Sequence, residues 1–224
     1  MTSSIVSAVL LMVALIVLSV LLLLGRMLFR KDTGNDYNLL THFPHELIHI
    51  KGRKTNIVVW SIFIALLMIS SGFMLDFGQS FNSILLFSGS FIALCFFFLV
   101  GIAAPTYYKT HLASYIISTI LSAIVSAIYL LYFSSKTDFY LGNQLALRIV
   151  FSVIFSLIFV FFIIMAFNPA LRNWWRLKTE ISEEGVITNT RPKIFVLAFS
   201  EWLCLFGFIL MQICAIVFNL VIGI

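Results

Sequence analysis

Six apolar runs, each about as long as the roughly 20 residues that carry a helix across a bilayer, constrain this chain more than any other feature. They lie at Ile5–Leu28, Ile57–Leu75, Ile84–Ala104, Leu112–Phe133, Leu145–Phe167 and 194–220. The runs are continuous and do not alternate, so they read as helices and not as the strands of a barrel. In hydrocarbon a helix satisfies its own backbone hydrogen bonds. Composition agrees: 10% of residues are charged and 62% hydrophobic, against about 25% charged in a soluble domain. The expected fold is an all-α integral membrane protein, one domain of six transmembrane helices and no separate soluble part.

Charge sets the expected orientation. Twelve of the fourteen Lys and Arg residues fall between Gly25 and Asn56, between Pro105 and His111, or between Asn168 and Lys193. Basic loops stay on the cytoplasmic side. That places both termini outside, in a plasma membrane of bacterial type. Arg26 lies at the end of the first run, Arg30 and Lys31 follow it and no basic residue precedes it, which reads as a signal-anchor. The partners implied are the lipid bilayer and a membrane-protein partner or a second copy of the chain. Nucleic acid is not expected, because the basic residues sit at span ends and form no soluble domain. The last run is long enough to tilt or to kink near Gly207.

The long loops carry local signals. Leu40, Phe43, Leu47 and Ile48 follow helical spacing and Pro44 suits a first turn, so a short interfacial helix is expected, its apolar side at headgroup level. Asn168-Pro169 should end the fifth span. Trp174 and Trp175 suit the interface, where indoles anchor. Thr179–Pro192 reads as a polar, turn-rich loop.

One stretch carries a chemical motif. In His45-Glu46-Leu47-Ile48-His49 the two histidines are one helical turn apart, so both rings can reach one zinc ion, and Glu46 can act as base on a bound water. These five residues resemble the HExxH signature of zincin metallopeptidases. The resemblance implies a zinc cofactor, His45 and His49 as ligands and Glu46 as the catalytic base. The third ligand is expected to be Glu201, with His111, Glu180, Glu183 and Glu184 on the same side of the membrane. The competing reading makes the pentapeptide the wet edge of an interfacial helix, with no cofactor.

The spans hold few other polar groups. Glu201 lies inside the sixth, where a carboxyl needs a partner or a cavity. Arg148 sits near the outer end of the fifth and can snorkel. Ser114, Ser118, Ser122 and Ser126 repeat every four residues along one face of the fourth span. Such a stripe allows close helix approach, or it walls a substrate path. The three cysteines all fall within spans and read as small buried hydrophobes. The preferred function is a non-catalytic accessory, immunity or assembly component. A small channel or transporter and a membrane zinc peptidase are the alternatives.

Overall fold

A computed structural model describes residues 2–50, 54–74, 81–103, 108–134, 144–169, 171, 178–181 and 187–221. It contains seven helices among these residues: α1 (Thr2–Thr33), α2 (Pro44–Ile48), α3 (Thr55–Met74), α4 (Phe81–Ile102), α5 (Tyr108–Ser134), α6 (Gln144–Ala166) and α7 (Val196–Val221). All but α2 are long and apolar enough to cross a membrane. The chain is an integral, multi-pass membrane protein.

Each spanning helix starts and stops within a few residues of its expected run, apart from α1. That helix continues past Leu28 through Arg30 and Lys31, whose positive charges suit a helix C-terminus. It stops where Gly34 adopts φ +74° and its N–H bonds to the Arg30 carbonyl at 2.9 Å, a left-handed cap that favours glycine. At the other signal, α6 ends at Ala166, just before Asn168-Pro169.

The helices α1, α3, α4, α5 and α6 pack on one another in that order, and α7 closes the bundle against α1 and α6 while reaching α3 and α5. Phe208 of α7 also meets Phe97 of α4, ring centroids 5.8 Å apart. Only a narrow stripe of large apolar residues on α7 stays exposed: Phe206, Leu210, Val217 and Val221, spaced by four and seven. Most of the rest of the helix is buried or half-buried. It runs unbroken through Gly207, where a kink was one of the alternatives. A Cβ there would lie 2.7 Å from Phe161, so the glycine lets α6 come close.

Most of the buried hydroxyls in the bundle bond to backbone carbonyls of their own or a neighbouring helix, as an apolar surrounding demands. Ser122 Oγ donates to the Ser118 carbonyl at 2.7 Å, and Ser118 Oγ to Tyr115 at 2.8 Å. Ser126 crosses to α6 and donates to the Phe155 carbonyl at 2.8 Å. Together with Ser114, this stripe is buried between helices. Ser7 and Ser70 each donate to the other's carbonyl, at 2.7 and 2.9 Å, which fastens α1 to α3. Gln212 of α7 donates to Ser71 of α3. Arg148 sits partly buried in the first turns of α6.

Two features of the basic end depart from expectation. Part of the polar stretch 179–192 is not simply loop. β1 (Lys178–Ile181) and β2 (Ile187–Thr190) pair antiparallel, with Lys178 opposite Thr190 and Ile181 opposite Ile187. The other is α2, present where a short helix was expected but with Leu47 and Ile48 fully buried in the protein. Its apolar side packs on α1, α3, α4 and α7. Trp174 and Trp175 lie outside the described residues.

Candidate functional site

The chemistry-bearing residues collect at the basic end of the bundle, around α2. This helix is built by its own first turn. Phe43 is the N-cap, Pro44 occupies the first helical position, where its missing N–H costs nothing, and Glu46 stands third. From there Glu46 Oε2 accepts the Phe43 backbone N–H at 3.0 Å, the reciprocal half of a capping box. The glutamate of the His-Glu-x-x-His motif is therefore a helix-capping group.

It is also an ion-pair partner. Arg191, at the end of β2, clamps both Glu46 oxygens, with Nη1 donating to Oε2 at 2.8 Å and Nη2 to Oε1. The same Nη1 donates to the Thr41 carbonyl at 2.9 Å. A bidentate guanidinium–carboxylate pair is among the stronger charged contacts. A carboxylate held this way is a poor general base, since its lone pairs already accept three N–H donors.

The motif histidines stack on each other, ring centroids 4.3 Å apart and planes 31° from parallel. His45 Nδ1 lies 3.1 Å from the Ile102 carbonyl. A carbonyl only accepts, so Nδ1 carries the proton. Among the described residues, no three His, Cys, Asp or Glu side chains come together as a metal would require. Glu201, the expected third ligand, is held elsewhere. The physical reason is long-range: a histidine on another helix lies within hydrogen-bond distance of it.

That partner is His111. Its Nε2 lies 2.6 Å from Glu201 Oε1, and both side chains are wholly buried. His111 Nδ1 stands 2.9 Å from the Ala103 carbonyl, so Nδ1 must donate. One proton then occupies the Nε2–Oε1 contact in either form, imidazolium–carboxylate or imidazole–carboxylic acid. Both forms carry zero net charge, which is how two ionisable groups can share an apolar interior. Glu201 Oε2 has no hydrogen-bond partner.

The segment before α2 lids this pair. Phe43 sits edge-on to the His111 ring, centroids 5.4 Å apart, and edge-on to Phe195 at 5.3 Å. Trp202 of α7, next to Glu201, donates its indole N–H to the Tyr37 hydroxyl at 3.2 Å and the His42 carbonyl at 3.1 Å. Tyr37 in turn donates to the Phe43 carbonyl at 2.9 Å. Burial pushes the Tyr37 hydroxyl well above its ordinary range, so it stays a donor. On the far side, the Asn56 amide donates to the Leu47 carbonyl at 2.9 Å. His111 was visible in the sequence as one polar residue on this side, but its pairing was not. The available signal was depth: His111 and Glu201 both lie within about two turns of the basic end of their helices.

The lid is acid-sensitive. Burial, with the His49 and His111 rings adding to it, holds the His45 imidazole down at about 4. An unfolded histidine titrates near 6.5. Between these values the unfolded chain binds more protons at this site, so the stability that His45 contributes is fully present above about pH 6.5 and is lost as pH drops toward about 4. Glu46 opposes the shift, yet burial dominates. A His45→Gln variant should therefore show a shallower loss of melting temperature over that window. Superimposable pH profiles for the variant and the native protein would refute this assignment.

Comparisons with protein-family models, with curated proteins and with solved structures find no match to this chain.

Proposed function

We propose that this is a non-catalytic membrane component, an accessory, immunity or assembly protein that acts through its helix faces and its basic loops. The observation that supports this most is the Arg191 clamp on Glu46. The one residue a zinc peptidase would need as a free base instead joins the two long loops. Trp202 and Asn56 join the first of these loops to the bundle, and the His111–Glu201 pair ties α5 to α7 beneath it. Polar groups are used to hold a surface in place, which suits recognition better than turnover. The buried serine stripe likewise gives little support to a transport path. Its hydroxyls bond to backbone carbonyls between packed helices.

Metal analysis of the detergent-purified protein tests the reading. Native protein and a His45→Ala variant should carry the same background zinc, well below one ion per chain. One zinc per native chain, lost in His45→Ala, would establish the metallopeptidase alternative instead.

The proposed orientation puts both termini outside, in a plasma membrane of bacterial type, with α2 and the hairpin in the cytoplasm. Its support is the twelve basic residues on that end. A membrane-impermeant thiol reagent applied to intact cells should label Ser3→Cys and spare Lys193→Cys. The opposite labelling pattern would invert the topology.

A further inference from the structure

We propose that the groove between α1 and α7 seats one phospholipid whose headgroup joins a phosphate to a primary amine. The groove holds about 630 Å³, within the range of small-molecule sites. Its walls are apolar: Leu22 and Leu23 from α1, Leu203 and Phe206 from α7. Both helices are membrane-spanning, and Leu23 is 67% exposed, so in a bilayer this wall meets acyl chains.

The groove changes character at its basic end. Arg26 follows Leu22 by four residues and Leu23 by three, which puts the guanidinium on the same helix face, one turn nearer the loops. Asp36, from the chain after α1, lines the same end. One positive and one negative side chain thus cap an apolar slot. Arg26 makes no ion pair among the described residues. Among the described residues the ion-pair partner of Asp36 is Arg30, at a long 3.7 Å between exposed side chains, and such pairs are weak and easily exchanged.

Charge complementarity selects the occupant. A phosphate fits Arg26, which offers it a forked donor. A primary ammonium fits Asp36 through charge-assisted hydrogen bonds. A quaternary ammonium has no N–H to give that carboxylate. A headgroup without any amine could use Arg26 but would leave Asp36 without a cationic group of the lipid to pair with. Phosphatidylethanolamine satisfies both ends.

Native mass spectrometry of the full-length protein in mild detergent, supplied in turn with phosphatidylethanolamine, phosphatidylcholine or phosphatidylglycerol, tests this. The native chain should retain one phosphatidylethanolamine, with about a tenfold preference over the other two, the size expected of one charge-assisted contact. Arg26→Gln should lose retention of all three lipids. Asp36→Asn should keep retention and lose the preference. Leu203→Trp, which fills the slot without altering charge, should exclude lipid. Both charged side chains are exposed, so their variants should fold. Unchanged phosphatidylethanolamine retention by Arg26→Gln would overturn the proposal. So would equal retention of phosphatidylglycerol by the native chain, or an intact preference in Asp36→Asn.

Discussion

Glu201→Leu is expected to lower the unfolding free energy in detergent by about 3–5 kcal/mol, the usual cost of removing one partner from a buried ion pair. The loss arises less from the missing contact than from what remains. His111 stays wholly buried, its Nδ1 tied to Ala103, with its Nε2 facing apolar surroundings. His111→Phe should cost a comparable amount, because it leaves both oxygens of a buried carboxyl unpartnered, where Oε2 alone is unpartnered now. The double variant His111→Phe/Glu201→Leu removes both polar groups at once. It should recover most of the loss, since well-packed apolar replacements of buried pairs are often neutral or stabilising. Chemical denaturation of the two singles and the double closes a mutant cycle. Magnitude decides the interpretation. Side-chain hydrogen bonds between membrane helices average only about 0.6 kcal/mol. A cost near that value for either single variant would mean that water reaches the pair and that it is not a sealed charge site.

The same residues mark how far the sequence could be read. The six spans were legible because lipid imposes one rule on every residue of a run, so length and composition suffice. The start of α2 was legible in part, through Pro44. Its fit to the bundle was not, because nothing local tells Leu47 and Ile48 that protein and not headgroup will cover them. The His-Glu-x-x-His pattern pointed toward zinc for an instructive reason. Proline at the first helical position and glutamate at the third are what a helix start selects, and histidines beside them complete the letters. What distinguishes a cap from a base is Arg191, 145 positions away. Burial cost alone implies that Glu201 needs a partner or a cavity, yet the partner, His111, is 90 positions distant. Pairwise identity at such separations is a property of the packed bundle, and a single sequence carries no local trace of it.

Gly101→Leu should be the most damaging small-to-large change at the basic end, costing about 1–3 kcal/mol by overpacking and more if α2 leaves its seat. Two glycines form that seat. On α4, a Cβ at Gly101 would run into the Trp60 indole and lie 2.8 Å from Ile48 Cδ1. On α1, a Cβ at Gly25 would lie 2.6 Å from Leu47 Cδ1. The two most buried side chains of α2 thus rest in notches cut by absent side chains on two different helices. Trp60 cannot retreat from Gly101, because it is itself 1% exposed, packs on Phe63 at 5.5 Å and donates toward the Phe98 carbonyl at 3.4 Å. The strain then passes to Ile48, which sits on a helix of only five residues. Lifting Ile48 draws Phe43 off the His111 ring and pulls on the Glu46–Arg191 clamp. Two readouts separate these outcomes. A lower melting temperature with unchanged trypsin cleavage in the segment 30–54 would mean that the helices move apart and α2 stays docked. New cleavage at Arg30, Lys31 or Lys54, with the spanning helices still folded by circular dichroism, is the expected result, because a short helix held by two notches gives way before a bundle of six does. Full stability of Gly101→Leu together with native protease resistance would mean that α2 does not rest on this glycine at all.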